Sequence, residues 1–73
     1  MRMEMNPEFE VHLLNETGIA KAQRIAEIFN DALNALLIVV PSSTRPTSIM
    51  RTKLEEAAFF AKKAMATQAE NQK

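Results

Sequence analysis

Arg45, Ser48, Thr52, Glu56, Phe59 and Lys63 follow one another at steps of three or four. On a helix turning about 100° per residue they fall within one polar sector. Arg and Lys donate charge-assisted hydrogen bonds to phosphate. Ser and Thr add neutral donors, and a Phe ring offers a face on which a base can stack. That combination suits a small anionic nucleotide; the plain alternative is a solvated helix face with one incidental Phe, which composition alone favours. Arg51 lies toward the other edge of the same helix. A second group sits earlier: Lys21 and Arg24 share one side of a helix, within reach of Phe9 or His12 on the segment before it. Those two basic residues read equally as surface charges. Phe9 and His12 read either as the stacking wall of a pocket or as part of a tail folded back on the body.

Catalytic chemistry finds little to work with. One histidine and no cysteine leave no nucleophile with an assignable base. A single glycine excludes a glycine-rich phosphate loop. Glu55 and Glu56 are adjacent, so on a helix they diverge by about 100° and do not share a site; they read as a solvated face or as ion partners of Lys62 and Lys63. No acidic cluster around His12 has metal-ligand spacing. The expectation is a protein that is not an enzyme and uses neither metal nor cofactor.

Two helices are expected to position these residues. The first opens at Asn15-Glu16-Thr17-Gly18, where Asn15 or Thr17 can cap the free N–H groups and Glu16 suits the positive end of the dipole. It runs to about Val39 along a seam of Ala22, Ile25, Phe29, Ala32, Leu36 and Val39. Leu33 and Leu37 widen one side, Ile28 the other, and Ile38 lies nearly opposite Phe29. The C-terminal end is therefore apolar nearly all round, which one partner helix cannot bury. Residues 41–46, with Pro41 and Pro46, form a short connection. Val40 and Arg45 each precede a proline and lean away from helical dihedrals. Ser43 or Thr44 can cap the second helix, with Pro46 in its first turn. This helix spans about 46–69 on a seam of Met50, Leu54, Ala57, Ala61 and Ala64, followed by a frayed polar end, Glu70–Lys73. Residues 1–14 form an N-terminal arm, in which Met1, Met3 and Met5 alternate and Pro7 can open a helical turn. The fold class expected is all-α, an antiparallel two-helix hairpin with a short N-terminal arm, assembled into a helical homo-oligomer.

Bulk properties point the same way. A single domain of 73 residues buries only about 60% of its unfolded surface and is marginal alone. Without cysteine it has no disulfide support, which leaves oligomerisation. Nine basic residues balance nine acidic ones, which disfavours sequence-nonspecific DNA binding. The apolar run Leu36–Val40 is far shorter than the roughly 18 residues of a membrane span, and no apolar stretch of signal-peptide length opens the chain. A cytoplasmic protein without DNA or membrane partners is expected.

The second helix carries a resemblance. Arg51-Thr52-Lys53-Leu54-Glu55-Glu56-Ala57, the bulky pair Phe59-Phe60, then Ala61 and Lys63-Ala64 resemble the C-terminal helix of a family of small phage helical-hairpin proteins. Arg45–Ser48 and Gly18–Phe29 are similar to the same family, and the likeness covers about residues 15–70. The family includes the phage anti-CBASS cyclic-nucleotide sponges, and a related hairpin occurs in sponges for cyclic ADP-ribose signals in Thoeris defence. The resemblance implies a non-catalytic sponge in the cytoplasm of the infected bacterial host. It would sequester cyclic dinucleotides and cyclic trinucleotides without cleaving them, and so keep an immune effector off. It also implies a homohexamer of hairpins with pockets between protomers. In the family's dinucleotide pocket an aromatic residue of the N-terminal region, typically Tyr, works with a basic residue of the first helix. This chain has no Tyr, so Phe9 or His12 would take the aromatic place and Lys21 or Arg24 the basic one. The family's trinucleotide pocket uses an arginine just before Thr-x-Leu of the second helix; Arg51 occupies that position, with Arg45, Ser48 and Thr52 in the same region. The other readings are a sponge for cyclic ADP-ribose-type signals and a structural or protein-interaction hairpin with no nucleotide ligand.

Overall fold

The computed structural model describes residue 6 and residues 9–73. The expected turn at Pro7 and the alternating Met1, Met3 and Met5 lie outside the described residues. The described chain is all-helical, a hairpin of two α-helices with no strand. Helix α1 spans Glu16–Val39 and helix α2 spans Arg45–Ala66; a 3₁₀ turn at Ala69–Asn71 closes the chain.

Local chemistry explains the ends. Asn15 is extended (φ −80°, ψ −176°), and its Oδ1 accepts from the Gly18 N–H at 2.8 Å. The cap is therefore Asn15 rather than Thr17. At the far end Val40 is extended (φ −123°, ψ 152°), the conformation that Pro41 imposes on its neighbour. Its N–H still reaches the Leu36 carbonyl at 3.0 Å. Thr44, not Ser43, caps α2: its Oγ1 accepts from the Thr47 N–H at 3.3 Å and meets Thr47 Oγ1 at 2.9 Å. Arg45 departs from expectation, because it precedes Pro46 and is nevertheless the first helical residue. Proline's missing N–H costs nothing in a first turn, and the Thr44 cap outweighs the steric bias.

The two helices meet along Gly18, Ala22, Ile25, Phe29, Ala32, Leu33, Leu36 and Leu37 on α1, and Thr47, Met50, Leu54, Ala58, Ala61 and Met65 on α2, all buried or half-buried. The α2 seam is shifted from the expected one, since Ala57 and Ala64 are exposed while Ala58 and Met65 turn inward. Burying a methionine is worth about 1.5–3 kcal/mol, more than a single methyl, and that difference rotates the helix toward Met65. On α1, Val39 is also outside the contact at 75% exposure. The chain leaves the helix there, and half-buried Val40 takes its place.

The C-terminal segment is not frayed. Asn71 is fully buried, at 0% exposure. The Lys73 N–H donates to the Leu13 carbonyl at 2.9 Å, Leu14 and Gln72 form an antiparallel bridge, and the Gln72 side chain donates to the Ala66 carbonyl at 2.8 Å. Helix α2 ends at Ala66, short of the expected 69, because the chain turns at Thr67 and Gln68 to make these contacts.

The hairpin measures 54 × 26 × 11 Å. Its thinnest dimension is on the order of one helix diameter, so each helix has one neighbour and an open outer face. Met65 is the one buried hydrophobic side chain among the described residues. Ile19, Ile28, Ile38, Ile49, Phe59 and Phe60 are exposed.

Candidate nucleotide-binding surface

Helix α2 starts at the tip of the hairpin, and its first turns present Arg45, Ser48, Ile49, Thr52 and Lys53 around one concavity of about 420 Å³. Steps of three and four bring Arg45, Ser48 and Thr52 to the same side, as the helical spacing requires. No acidic residue stands in the first turn of α2, so the partial positive charge of the helix N-terminus is uncompensated there. Arg45 adds a full positive charge and makes no ion pair with the described residues. Lys53 lies 3.7 Å from the Glu56 carboxylate on an exposed stretch. Thr52 differs from the free donor that its position suggests: its hydroxyl donates to the Ser48 carbonyl at 3.2 Å. Its oxygen remains available as an acceptor; donation to a phosphate requires that backbone bond to break.

Arg51 faces away from this group. It borders a groove of about 190 Å³ between the helices, lined by Phe29, Asn30 and Leu33 of α1 and by Leu54, Glu55 and Ala58 of α2. The groove offers apolar walls, one guanidinium, one carboxamide and one carboxylate. It is smaller than the roughly 300–1,000 Å³ of pockets that enclose a drug-sized ligand. Neither Arg51 nor Glu55 forms an ion pair with the described residues, although they stand one turn apart. Helix position alone brings Arg51 to an edge of α2; Asn30 comes into view only with the register of the hairpin.

The remaining candidates sit near the open end, where the arm meets the C-terminal turn. Lys21 Nζ lies 3.7 Å from Glu70 of the C-terminal turn. Arg24 pairs with Glu27 at 3.4 Å within α1. His12 is half-buried, with its Nε2 3.8 Å from Glu10, and Phe9 is 65% exposed on the arm. The structure therefore divides the eight candidates by place: Arg45, Ser48 and Thr52 share one concavity, Arg51 lines another, and Phe9, His12, Lys21 and Arg24 belong to the arm and the first half of α1.

Phe59 and Phe60 contact each other edge to face, ring centres 5.3 Å apart, and both are 61% exposed. Glu56 pairs with Lys53 at 3.7 Å. Among the described residues no three His, Cys, Asp or Glu side chains converge as a metal site, and no helix is long and apolar enough to cross a membrane. In comparisons with known proteins, no family model, no curated protein and no solved structure matches this chain.

Proposed function

We propose that the protein is a non-catalytic phage sponge that sequesters cyclic oligonucleotide messengers, cyclic di- and trinucleotides, in the cytoplasm of an infected bacterium and so blocks CBASS immunity. The observation that carries this reading is the placement of Arg51. It is the residue that the resemblance assigns to trinucleotide binding, and it stands without an ion partner at a groove walled by both helices. A guanidinium there takes a phosphodiester, while Phe29, Leu33 and Leu54 give a base an apolar wall. The concavity at Arg45, Ser48 and Lys53 supplies further positive charge at the N-terminus of α2. Phe9 or His12, with Lys21 or Arg24, forms the dinucleotide site.

The pockets are completed by other copies of the chain, in a homohexamer. One protomer exposes 6089 Å², whereas a compact protein of 8.2 kDa exposes about 4500 Å². The surplus of about 1600 Å² is about twice the roughly 800 Å² that each partner gives to a standard interface, enough for each protomer to have more than one neighbour. Ligands enclosed between subunits leave slowly, which is what sequestration needs.

The test is uptake and recovery. Purified protein is mixed with a panel of cyclic di-AMP, cyclic di-GMP, cyclic GMP-AMP, cyclic tri-AMP and a cyclic ADP-ribose isomer. It is then filtered and heat-denatured, and both fractions are run by chromatography. Depletion followed by release of an intact cyclic di- or trinucleotide is expected. Cleaved ligand would make the protein an enzyme. Uptake of the cyclic ADP-ribose isomer alone would move it to the other class of sponge, and no uptake would leave an interaction hairpin.

A further inference from the structure

The arm and Lys21 of α1, which belong to the two halves of the dinucleotide site proposed above, both contact the last residues of the chain. We infer that Asn71 is the positioning residue for that site, acting by locking the C-terminal turn onto the start of α1; this inference rests on the sponge reading.

Asn71 works from both its backbone and its side chain. Its side-chain Nδ2 donates to the Met65 carbonyl and to Gln68 Oε1, each at 3.0 Å, which holds the turn against the end of α2. Its backbone carbonyl accepts the Asn15 N–H at 2.9 Å. Asn15 answers with its own Nδ2, which donates to the Glu70 carbonyl at 2.9 Å and the Gln72 carbonyl at 3.1 Å, while its Oδ1 caps α1. One asparagine thus closes the helix and the other closes the turn. The Lys73–Leu13 hydrogen bond and the Leu14–Gln72 bridge continue the join into the arm that bears His12 and Phe9. On the other flank Glu70 meets Lys21.

Two observations show how closely the join is fitted. Gly18 is buried with the Asn71 carbonyl against it, and a Cβ at that position would collide with this oxygen and crowd the Leu14 side chain. Asn71 Oδ1 is buried without a partner among the described residues. An unpaired buried acceptor is a cost, so the amide is held in place by its two Nδ2 bonds rather than by full satisfaction. Asp does not reproduce this, because a carboxylate offers no donor to the Met65 carbonyl. Arg51 and its groove lie on a different part of the hairpin, lined by none of these residues.

The experiment compares wild type with Asn71→Ala, which removes the side-chain bonds that hold the turn to the end of α2, and Gly18→Ala, which sets a Cβ against the Asn71 backbone carbonyl. Affinities are measured for the best-bound cyclic dinucleotide of the panel and for cyclic tri-AMP, alongside hydrogen exchange at the Asn15 and Lys73 amides. Both variants are expected to bind the dinucleotide about tenfold more weakly, keep cyclic tri-AMP within about twofold, and lose protection at both amides. Dinucleotide affinity retained while the amides open overturns the inference alone, as does protection that neither variant changes. An equal loss of both ligand classes also overturns it, since Asn71 would then support the whole fold. Wild-type protein that takes up neither class ends the sponge reading, and the positioning role with it.

Discussion

Arg51 and Thr47 show two ways in which one residue of α2 matters. Arg51 is exposed at the edge of its groove and contributes nothing evident to folding. Arg51→Ala is therefore expected to leave the urea midpoint unchanged while weakening cyclic tri-AMP about tenfold to a hundredfold, since charged hydrogen bonds are worth about 1.5–3 kcal/mol. Arg51→Lys restores charge without the bidentate fork, and calorimetry should place it between the two. Unchanged trinucleotide affinity in Arg51→Ala would remove the groove from the site. Thr47 is the reverse case. It is 4% exposed, and its hydroxyl donates to the Pro41 carbonyl and meets the Thr44 hydroxyl, tying the connection to the first turn of α2. Thr47→Val keeps the shape and removes the hydroxyl that donates to the Pro41 carbonyl, so urea titration should show a loss of about 1 kcal/mol; an unshifted midpoint would mean that water replaces the hydroxyl.

At the scale of elements, α1 follows closely from local rules: an asparagine before an apolar period of three and four, and a valine turned out of the helix by the proline after it. The capping residue of α2 was legible to within two adjacent choices. Its buried face was not, because a run rich in alanine supports two seams about equally. Only the space across the hairpin decides that Met65 rather than Ala64 faces inward. The C-terminal turn left no local signal at all. Ala-Glu-Asn-Gln reads as a solvated tail, and what orders it is Asn15, 56 positions before Asn71 in the numbering. The candidate site was legible in the same uneven way. Helical spacing brings Arg45, Ser48 and Thr52 together on one element, whereas the Asn30 and Phe29 side of the Arg51 groove depends on the register between two helices. Removing residues 69–73 tests the turn as an element. It should open the Asn15 amide to exchange and free Lys21 from Glu70, while the amides in the middle of α1 stay protected. Uniform deprotection along α1 would mean that the turn holds the entire hairpin.

For the whole molecule the controlling fact is shape. A one-layer hairpin with a radius of gyration of 15.8 Å is far more extended than the roughly 11 Å expected for a compact chain of this length. It leaves Ile28 on α1 and Phe60 on α2 in the open. Burying faces of this kind against other copies is the ordinary solution for a small chain. Ile28→Asp together with Phe60→Asp should therefore sediment as a smaller species that keeps its helical circular dichroism; sedimentation identical to wild type would place the interface elsewhere. Assembly and ligand capture go together in a sponge whose pockets lie between protomers, and native mass spectrometry of the wild-type protein with cyclic di-AMP, cyclic GMP-AMP and cyclic tri-AMP reads both at once. An oligomer of six chains carrying at least one of these messengers at its intact mass is expected. A lone chain with no ligand bound at micromolar concentrations, or an oligomer that returns the messenger cleaved, would contradict the sponge reading.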